Sequence, residues 1–285
     1  MTTATKQMQP GSLLKRVLPR PLWTRLRTAR ARRQLAAFPR RQVRHVYGGF
    51  PLEVVISDPV AADWYDHDVA EPAEIKLLRS GRLAPGARVF DLGAHQGVIA
   101  LMLSRIVESE GQVVAVEAVA HNARCAEENR AINKAANLTV LHAAAADRPG
   151  TLEFEDGGGS HVASDGAEWT TTSVEAVSVD GLAERFGPPD VLFIDVEGYE
   201  QHVLAGAQQT FAQARPDCFV EIHVGAGLEQ FGGSIAGVLS QFPEGGYDLY
   251  VRDADEGSEF ELCTDDVIGR TERFFLVALA RRAGA

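Results

Sequence analysis

The fold of this chain is decided by the stretch Arg88-Val89-Phe90-Asp91-Leu92-Gly93-Ala94-His95-Gln96-Gly97. An apolar run that ends in Asp91 is typical of a buried strand, and the glycines after it let the backbone turn sharply beside a ligand. A helix-compatible run, 98–103, follows directly, so the turn joins the tip of a strand to the start of a helix. A second apolar run ends in Glu117, where a carboxylate is placed to bind a ribose diol. Strand, glycine turn, helix, strand and acid together predict a site for a nucleoside cofactor.

The composition predicts one large α/β domain with an extension. The chain has 285 residues, of which 45% are hydrophobic, so it is long enough to bury a full core. Its three cysteines lie far apart without a CxxC spacing, which argues against a disulfide framework and favours a reducing compartment. No apolar run approaches the ~18 residues of a membrane span, and no signal-peptide pattern begins the chain. We therefore expect a cytoplasmic protein with no transmembrane segment.

Charge is distributed unevenly along the chain. Residues 1–44 contain twelve Lys or Arg residues and no acid, whereas the whole chain has a formal net charge of −11. The acidic body argues against a nucleic-acid partner, because phosphate contacts need clustered basic side chains. Within the arm, 13–18 and 22–27 predict two short helices separated by Pro19 and Pro21. The arm either packs on the body or on a second copy of the chain, or makes peripheral contact with a membrane surface or an anionic partner.

After the arm, the pattern alternates between strand and helix. A pair of strands is predicted within 43–57 around the turn at Gly48-Gly49. The alternation that follows is typical of a parallel sheet covered by helices on both faces. The predicted strands of that sheet are 88–91, 113–117, 138–143, 191–195 and 218–224, and the predicted helices are 97–108, 121–135, 199–213 and 230–241.

Two more pairs of strands complete the predicted body of the protein. Segments 151–156 and 173–180 alternate like a hairpin inserted near 151–180, around a loop rich in glycine. Segments 246–253 and 272–280 predict two final strands joined by an acidic loop. The expected architecture is a doubly wound, mostly parallel α/β sheet within one domain, residues 45–285, preceded by the basic helical arm.

The spacing of the glycines discriminates between nucleoside cofactors. A dinucleotide site favours G-x-G-x-x-G, but positions 93–97 read Gly-Ala-His-Gln-Gly and lack the middle glycine. Asp91 stands before the turn, where a carboxylate suits a cationic amino group better than a pyrophosphate. Together with Glu117, these residues favour S-adenosylmethionine as the cofactor and disfavour an NAD-dependent oxidoreductase.

A second segment resembles the signature of a known family. Residues 190–200, Asp-Val-Leu-Phe-Ile-Asp-Val-Glu-Gly-Tyr-Glu, followed by Val-Leu-Ala-Gly-Ala at 203–207, resemble the FkbM family of S-adenosylmethionine-dependent methyltransferases. The next predicted strand, Phe-Val-Glu-Ile-His at 219–223, is similar to the E-x-H strand of that family. The turn at 91–97 is similar to its glycine loop, although the family more often has Asn where His95 stands.

The resemblance covers about residues 60–280 and includes 144–150, which is similar to the family's third-strand segment. It implies a seven-stranded, Rossmann-like class I methyltransferase fold and S-adenosylmethionine as the cofactor. For Asp147 a second role stays open, as a turn cap before Pro149-Gly150. The resemblance implies that Gly93, Ala94 and Gly97 approach the methionine and ribose parts of the cofactor, that Asp91 faces its amino group, that Glu117 binds its ribose hydroxyls, and that Asp147 lies near its adenine.

Four ionisable residues are the candidates for the chemistry. Asp195 and Glu197 follow one predicted strand, and Glu221 and His223 lie on the next, so period-two geometry places each pair on one side if the strands persist that far. Ligands lie beyond the carboxyl ends of such strands, and we expect the four side chains to converge near the transferred methyl group.

The convergence allows two catalytic interpretations. In the favoured one, a carboxylate or His223 is the general base for a substrate hydroxyl. In the other, Asp195, Glu221 and His223 ligate a divalent cation that acidifies the hydroxyl. The cation is not favoured, because the sequence shows no H-x-x-H motif and no dense acid cluster. For Glu197, a purely structural role in the turn after the strand also stays open.

The expected function is methyl transfer from S-adenosylmethionine to a hydroxyl group of a small molecule. The resemblance implies a sugar or a polyketide-like natural product as the acceptor. Transfer to the nitrogen of an amine and a catalytically inactive nucleoside-binding module are the alternatives, and a homo-oligomer is compatible with the sequence. Weaker candidates for an acceptor pocket are Trp64, Tyr65, His67, His161 and Trp169.

Overall fold

The computed structural model describes residues 20–156, 162–163, 170–254 and 257–281. The α-helices are α1 Arg20–Ala37, α2 Pro59–Tyr65, α3 Ala73–Leu78, α4 Val98–Val107, α5 Ala120–Ile132, α6 Val179–Phe186, α7 Glu200–Ala205, α8 Gln208–Gln213 and α9 Ile235–Leu239, with 3₁₀ turns at Leu228–Phe231 and Asp265–Gly269. The strands are β1 Arg41–Tyr47, β2 Phe50–Ile56, β3 Arg88–Leu92, β4 Gln112–Glu117, β5 Leu138–His142, β6 Ala144–Ala146, β7 Gly150–Asp156, β8 Thr170–Ser178, β9 Val191–Ile194, β10 Asp217–Ile222, β11 Tyr247–Asp253, β12 Glu261–Leu262 and β13 Phe274–Ala280.

The central sheet has the strand order β12-β11-β13-β10-β9-β3-β4-β5. Strands β5, β4, β3, β9 and β10 pair in parallel, whereas β13 is antiparallel to both β10 and β11. This sheet confirms the predicted doubly wound α/β fold, and the two-residue strand β12 adds an eighth strand at one edge. The strand order reverses between β3 and β9, which lie side by side although β4 to β8 separate them in the sequence. Ligands of such sheets bind beyond the strand ends at this reversal.

Two apolar layers enclose the sheet, one on each face. Alternate residues of β3 enter different layers, since Phe90 and Leu92 pack in one and Val89 packs in the other. All residues of β9 and β10 are buried, which explains the continuous apolar runs 191–194 in β9 and 218–220 in β10. Each fully buried large apolar side chain stabilises the fold by roughly 1.5–3 kcal/mol relative to exposure.

The N-terminal hairpin, β1 and β2, packs against helix α5. Gly48 and Gly49 both have positive φ at the turn, as the glycine pair predicted. The Val55 N–H donates to Asn129 Oδ1 at 2.7 Å, and the Glu53 N–H donates to Asn133 Oδ1 at 3.1 Å. These asparagine side chains satisfy backbone groups at the edge of β2, and they attach the hairpin to the helix that follows β4.

Residues 20–44 are the described part of the basic arm, of which 20–37 form helix α1 and 41–44 begin strand β1. Pro21 is the second described residue of this helix, a position near a helix start where proline is tolerated. The first predicted helix, 13–18, lies outside the described residues. Thr28 is buried, and its Oγ1 accepts the Thr170 N–H of β8 at 3.1 Å. No helix in the described part of the chain combines the length and the apolar character that a bilayer-spanning segment requires.

The inserted hairpin forms a second, small sheet. Strands β7 and β8 are antiparallel, and β8 also pairs in parallel with β6, which gives the order β6-β8-β7. Most of the glycine-rich connection between β7 and β8 lies outside the described residues.

Two predicted helices are broken in the structure. The predicted helix 199–213 becomes α7 and α8, because Gly206 ends α7 where it packs closely against the backbone of β6. The predicted helix 230–241 becomes a 3₁₀ turn and α9. Gly232 has φ +75° between the two, and the Ser234 hydroxyl then accepts a backbone N–H as the cap of α9.

Candidate active site

The glycine turn follows β3 at the point where the strand order reverses. Gly93 has φ +94° and Gly97 has φ +78°, conformations that favour glycine. A side chain at Gly93 would collide with the backbone carbonyl of Asp195, and a Cβ at Gly97 would lie 2.9 Å from a side chain of α5. The N–H groups of Gly93 and Ala94 donate to the Val116 carbonyl at 2.9 and 3.1 Å. The turn is therefore held by close backbone packing against both β4 and the end of β9.

Two buried carboxylates flank this turn. Glu117 accepts the N–H groups of His95 and Val119 at 2.8 and 2.7 Å. Burial raises the pKa of Glu117 to about 7, although these hydrogen bonds act in the opposite direction. Burial, reinforced by nearby Glu117, also raises the pKa of Asp91 to about 7. Asp91 Oδ2 has no hydrogen-bond partner among the described residues, so it offers an acceptor to a cationic group.

Gln96 connects the turn to the N-terminal hairpin, a role that its sequence position did not reveal. Its side chain is fully buried, and its amide donates to the carboxylate of Asp58. Cys125 Sγ lies 3.2 Å from Gln96 Oε1, and Asn129 Nδ2 donates to the Gln96 carbonyl at 2.9 Å. These contacts fix the backbone of the turn from behind, through residues that are distant in the sequence.

His95 lies against two of the aromatic residues that we considered for an acceptor pocket. The Tyr65 hydroxyl is 3.3 Å from His95 Nδ1, and the ring centroids of Trp64 and His95 are 5.3 Å apart. Burial lowers the pKa of His95 to about 4, so its ring is neutral at physiological pH. Of the remaining candidates, His67 is exposed, and His161 and Trp169 lie outside the described residues.

The structure brings all four predicted catalytic side chains together. His223 Nε2 lies 3.4 Å from Glu197 Oε2, 3.6 Å from Glu221 Oε1 and 3.7 Å from Asp195 Oδ1. A fifth residue, Glu200, places its Oε1 2.6 Å from His223 Nδ1. We call these five residues the acid–histidine cluster.

The cluster does not form by the strand periodicity that we had assumed. Strand β9 ends at Ile194 and β10 ends at Ile222, so three members lie in the loops that follow. Glu197 has φ +52°, a left-handed conformation that turns the chain back toward β10. The strands do not persist as far as the condition for a shared side required, and the loops bring the side chains together instead.

Glu200 is the member of the cluster that the sequence analysis did not include among its candidates. It lies in the first turn of α7, is fully buried, and its Oε1 also accepts the Gly198 N–H at 2.7 Å. An acid at a helix N-terminus is usually explained by the helix dipole, which hid its contact with a histidine 23 residues later. Because His223 Nδ1 is occupied by Glu200, its Nε2 is the atom that faces the other carboxylates.

Electrostatics in the cluster favour a positively charged ligand. Burial raises the pKa of Asp195, and nearby Glu221 raises it further. Burial also raises the pKa of Glu221, against the opposing effects of His223 and of Arg273, whose Nη1 is 2.9 Å from Glu221 Oε1. Burial by itself lowers the pKa of His223, but the hydrogen bond to Glu200 and the surrounding acids raise it to about 9. Four carboxylates thus face only two cationic groups.

A cavity of about 600 Å³ opens beside the cluster. It lies at the ends of β10 and β11 and at the start of β13, and its apolar lining consists of one valine and two alanines. The polar side chains that line it are Glu197, His223, Asp253, Thr271, Glu272 and Arg273. A cavity with this lining suits an acceptor that makes many hydrogen bonds.

Asp147 lies just beyond the end of β6. It is half-buried, and its Oδ2 is 3.2 Å from Nη1 of the exposed Arg148. Burial raises the pKa of Tyr199, and the charge of Asp147 raises it further, so the carboxylate lies near the start of α7. The described contacts connect Asp147 with these two residues and not with the glycine turn.

Comparison with known families identifies the class of protein. A family sequence model described as "Methyltransferase FkbM domain" matches residues 91–249, which include the turn and the whole acid–histidine cluster. With the central sheet, this match defines a class I S-adenosylmethionine-dependent methyltransferase. The match spans more than half of the chain, so the chain belongs to the FkbM methyltransferase family, as its motifs predicted.

Solved structures with a similar fold are distant in sequence. A methyltransferase FkbM from Methylobacillus flagellatus KT is 15% identical, with a TM-score of 0.46 over 67% of this chain and 43% of that chain. A SAM-dependent methyltransferase from Aquifex aeolicus is 14% identical, with a TM-score of 0.43 over 78% and 93%. A SAM-dependent O-methyltransferase from Thermotoga maritima is 13% identical, with a TM-score of 0.44 over 86% and 79%. No curated protein sequence matches the chain significantly.

Proposed function

We propose that this protein transfers a methyl group from S-adenosylmethionine to a hydroxyl oxygen of a small, sugar-like acceptor. One observation carries the proposal: Gly93 packs against the backbone carbonyl of Asp195, so the glycine turn adjoins the acid–histidine cluster. A cofactor held at the turn therefore lies next to side chains that can accept a proton. Methyl transfer to oxygen needs a bound methyl donor and a nearby proton acceptor, since the nucleophile must be positioned against the methyl group and must lose its proton.

The residues around the turn fit S-adenosylmethionine. The buried Asp91 Oδ2, which has no partner among the described residues, suits the cationic amino group. Glu117 is held beside the turn by the N–H groups of His95 and Val119, at the end of β4 where a carboxylate suits the ribose hydroxyls. We assign Gly93, Ala94 and Gly97 to the backbone that approaches the cofactor and Asp147 to its adenine edge. When bound, S-adenosylmethionine supplies the methyl group from its positively charged sulfur. As the acceptor oxygen forms a bond to the methyl carbon, the carbon–sulfur bond breaks and its electron pair stays on sulfur.

The cluster supplies the base and orients the acceptor. Asp195 and Glu221 are the two acids that we assign to accept the hydroxyl proton, because the half-buried Asp195 and the buried Glu221 both lie close to His223 Nε2. Glu197 and His223 line the cavity, where they can donate to or accept from an acceptor hydroxyl. Glu200 keeps the His223 ring in place.

The lining of the cavity supports a polyhydroxylated acceptor over an apolar, polyketide-like one. Most of its side chains are charged or carry a hydroxyl, and few offer an apolar surface on which a flat ring would pack. A second candidate function has support from the same residues. Glu197, Asp253 and Glu272 outnumber Arg273 in the lining, and such a surface also attracts a protonated amine, which favours N-methylation as the alternative.

The test uses the full chain with S-adenosylmethionine that carries an isotopically labelled methyl group. Three acceptor sets are offered separately: monosaccharides and glycosides, phenolic polyketide-like compounds, and primary or secondary amines. We expect labelled methyl ethers in the sugar set, located by mass spectrometry and NMR. The matched control is a deoxy analogue that lacks only the reacting hydroxyl. Label found solely on nitrogen, or solely on phenols, would overturn the proposed acceptor.

A further inference from the structure

The acid–histidine cluster buries a ring nitrogen that has no partner. His223 is 1% exposed, and its Nε2 has no hydrogen-bond partner among the described residues. The same holds for Asp195 Oδ1, which points to the same place. We propose that Asp195, Glu197 and His223 form a binding site for a divalent first-row metal ion. The sequence disfavoured a cation because no dense acid cluster was visible, and the loops after β9 and β10 create that cluster.

The distances between the three side chains suit ligands of one shared ion better than they suit direct hydrogen bonds between these side chains. Nε2 of His223 is 3.4 Å from Glu197 Oε2 and 3.7 Å from Asp195 Oδ1. These distances exceed the range of about 2.7–3.2 Å for N–H···O hydrogen bonds. Two ligand atoms that are each about 2.1 Å from a shared ion lie about 3.4 Å apart at a tetrahedral angle. One ligand atom from each of the three residues lies within 4.8 Å of the other two, and the half-exposed Glu197 side chain can rotate to close the set.

Glu200 gives His223 the support that metal-bound histidines usually have. Its carboxylate accepts a hydrogen bond from Nδ1, so Nε2 faces Asp195 and Glu197, and an ion that binds there replaces the proton on Nε2. Glu200 is fully buried and also accepts the Gly198 N–H, so the orientation of the ring is set before any ion binds. Glu200 is thus a positioning residue.

The donor set and the charge indicate the kind of ion. One imidazole and two carboxylates suit Mn²⁺, Fe²⁺ or Zn²⁺ better than Mg²⁺ or Ca²⁺, which prefer oxygen ligands alone. A divalent ion also offsets the excess of carboxylates, since Arg273 is engaged with Glu221. Its catalytic role rests on the proposed function: it would acidify the acceptor hydroxyl, and Glu221, outside the three-ligand set, would take the proton.

The test measures binding of Mn²⁺ alone to the full chain after treatment with a chelator and desalting. Electron paramagnetic resonance reports free Mn²⁺, so the titration gives stoichiometry and affinity without donor or acceptor. We expect one tight site per chain. Asp195→Asn and Glu197→Gln should each weaken it by about tenfold or more, and Glu200→Gln should weaken it by about 10–100-fold. Binding of S-adenosylhomocysteine verifies that each variant is folded.

Glu272→Gln is the matched control, because it removes an exposed acid of the same cavity that lies outside the ligand set. We expect Mn²⁺ affinity to stay within about twofold, since exposed charges are screened. Equal effects of Glu272→Gln and Glu197→Gln, or no bound Mn²⁺ in the wild type, would overturn the site. Methyl transfer to hydroxyls by a chelated, cation-free chain would overturn the catalytic role of the ion while leaving the proposed function intact. A chain that binds Mn²⁺ but methylates no hydroxyl would uphold the site and overturn the proposed function.

Discussion

The glycine turn and the acid–histidine cluster are neighbours, but their polar groups are satisfied in different ways. In the turn, the carboxylate of Glu117 and the backbone of Gly93 are bonded to other backbone groups. In the cluster, His223 Nε2 and Asp195 Oδ1 have no such partner in the part of the chain that the structure describes. Because buried polar groups are rarely left without partners, the difference indicates that the backbone of the turn is held by the protein itself, whereas Asp91 Oδ2 beside the turn and the two cluster atoms are left for ligands.

The largest effect that separates the two regions is expected for His223→Gln, which removes the ring nitrogen but keeps a polar side chain. Methyl transfer should fall by about 10²–10⁴-fold, the usual contribution of acid–base groups. Affinity for S-adenosylhomocysteine should change little, because the turn does not depend on this ring. Labelled methyl transfer and calorimetry measure the two quantities.

His202→Gln is the control for that variant, since His202 is a half-buried histidine on α7 that bonds the Phe231 carbonyl instead of the cluster. It should leave transfer nearly unchanged. A parallel loss of cofactor affinity and transfer in His223→Gln would mean that the two regions form one structural unit, contrary to the comparison.

The contact between the regions is tested by Gly93→Ala, which places a Cβ against the Asp195 carbonyl. We expect the free energy of unfolding to fall by roughly 3 kcal/mol or more, from a backbone clash added to the cost of positive φ. Gly86→Ala is the matched control, with φ +86° but no atom within 4 Å of the added Cβ, and it should cost only about 1 kcal/mol. Urea unfolding measures both. Equal losses would show that the turn and the end of β9 are not in tight contact.

A pH effect is expected on the side of the turn. Asp91 has a pKa raised to about 7 by burial and by Glu117, so below pH 7 the unliganded protein holds a proton there. A cationic amino group favours the ionised form, and binding must therefore release that proton. Affinity for S-adenosylhomocysteine should fall by up to about tenfold for each pH unit below 7.

Calorimetry at pH 6 in buffers of different ionisation enthalpy counts the protons released on binding. The wild type should release about one proton, and Asp91→Asn should release fewer and show a flatter pH profile. An unchanged profile in Asp91→Asn would assign the proton to another group and remove Asp91 from the amino-group site.

The sequence was more informative for the turn than for the cluster, for physical reasons. Buried parallel strands are rich in apolar residues, so the bounds of β3 and β9 were predicted to within one residue. The glycines after β3 marked the position of the sharp turn. The members of the cluster were predicted, but their convergence depends on loops after Ile194 and Ile222 whose paths follow from long-range packing. Glu200 was missed because its partner is distant in the sequence. Local sequence patterns therefore predict strands and turns well, but they do not predict which side chains distant loops bring into contact.

The smallest effect concerns Asp147, the member of the predicted cofactor set whose described side-chain contacts are with Arg148 and the start of α7 and not with the glycine turn. Asp147→Asn keeps the shape and one acceptor oxygen but removes the charge. Because the carboxylate is half-buried and paired with Arg148, we expect only about threefold weaker binding of S-adenosylhomocysteine. Arg148→Ala, the control, should leave affinity unchanged because that side chain is 82% exposed. If Asp147 only caps the turn before Pro149, affinity will stay constant in Asp147→Asn, which keeps the cap, and Asp147→Ala, which removes it, will lower the free energy of unfolding by about 1 kcal/mol.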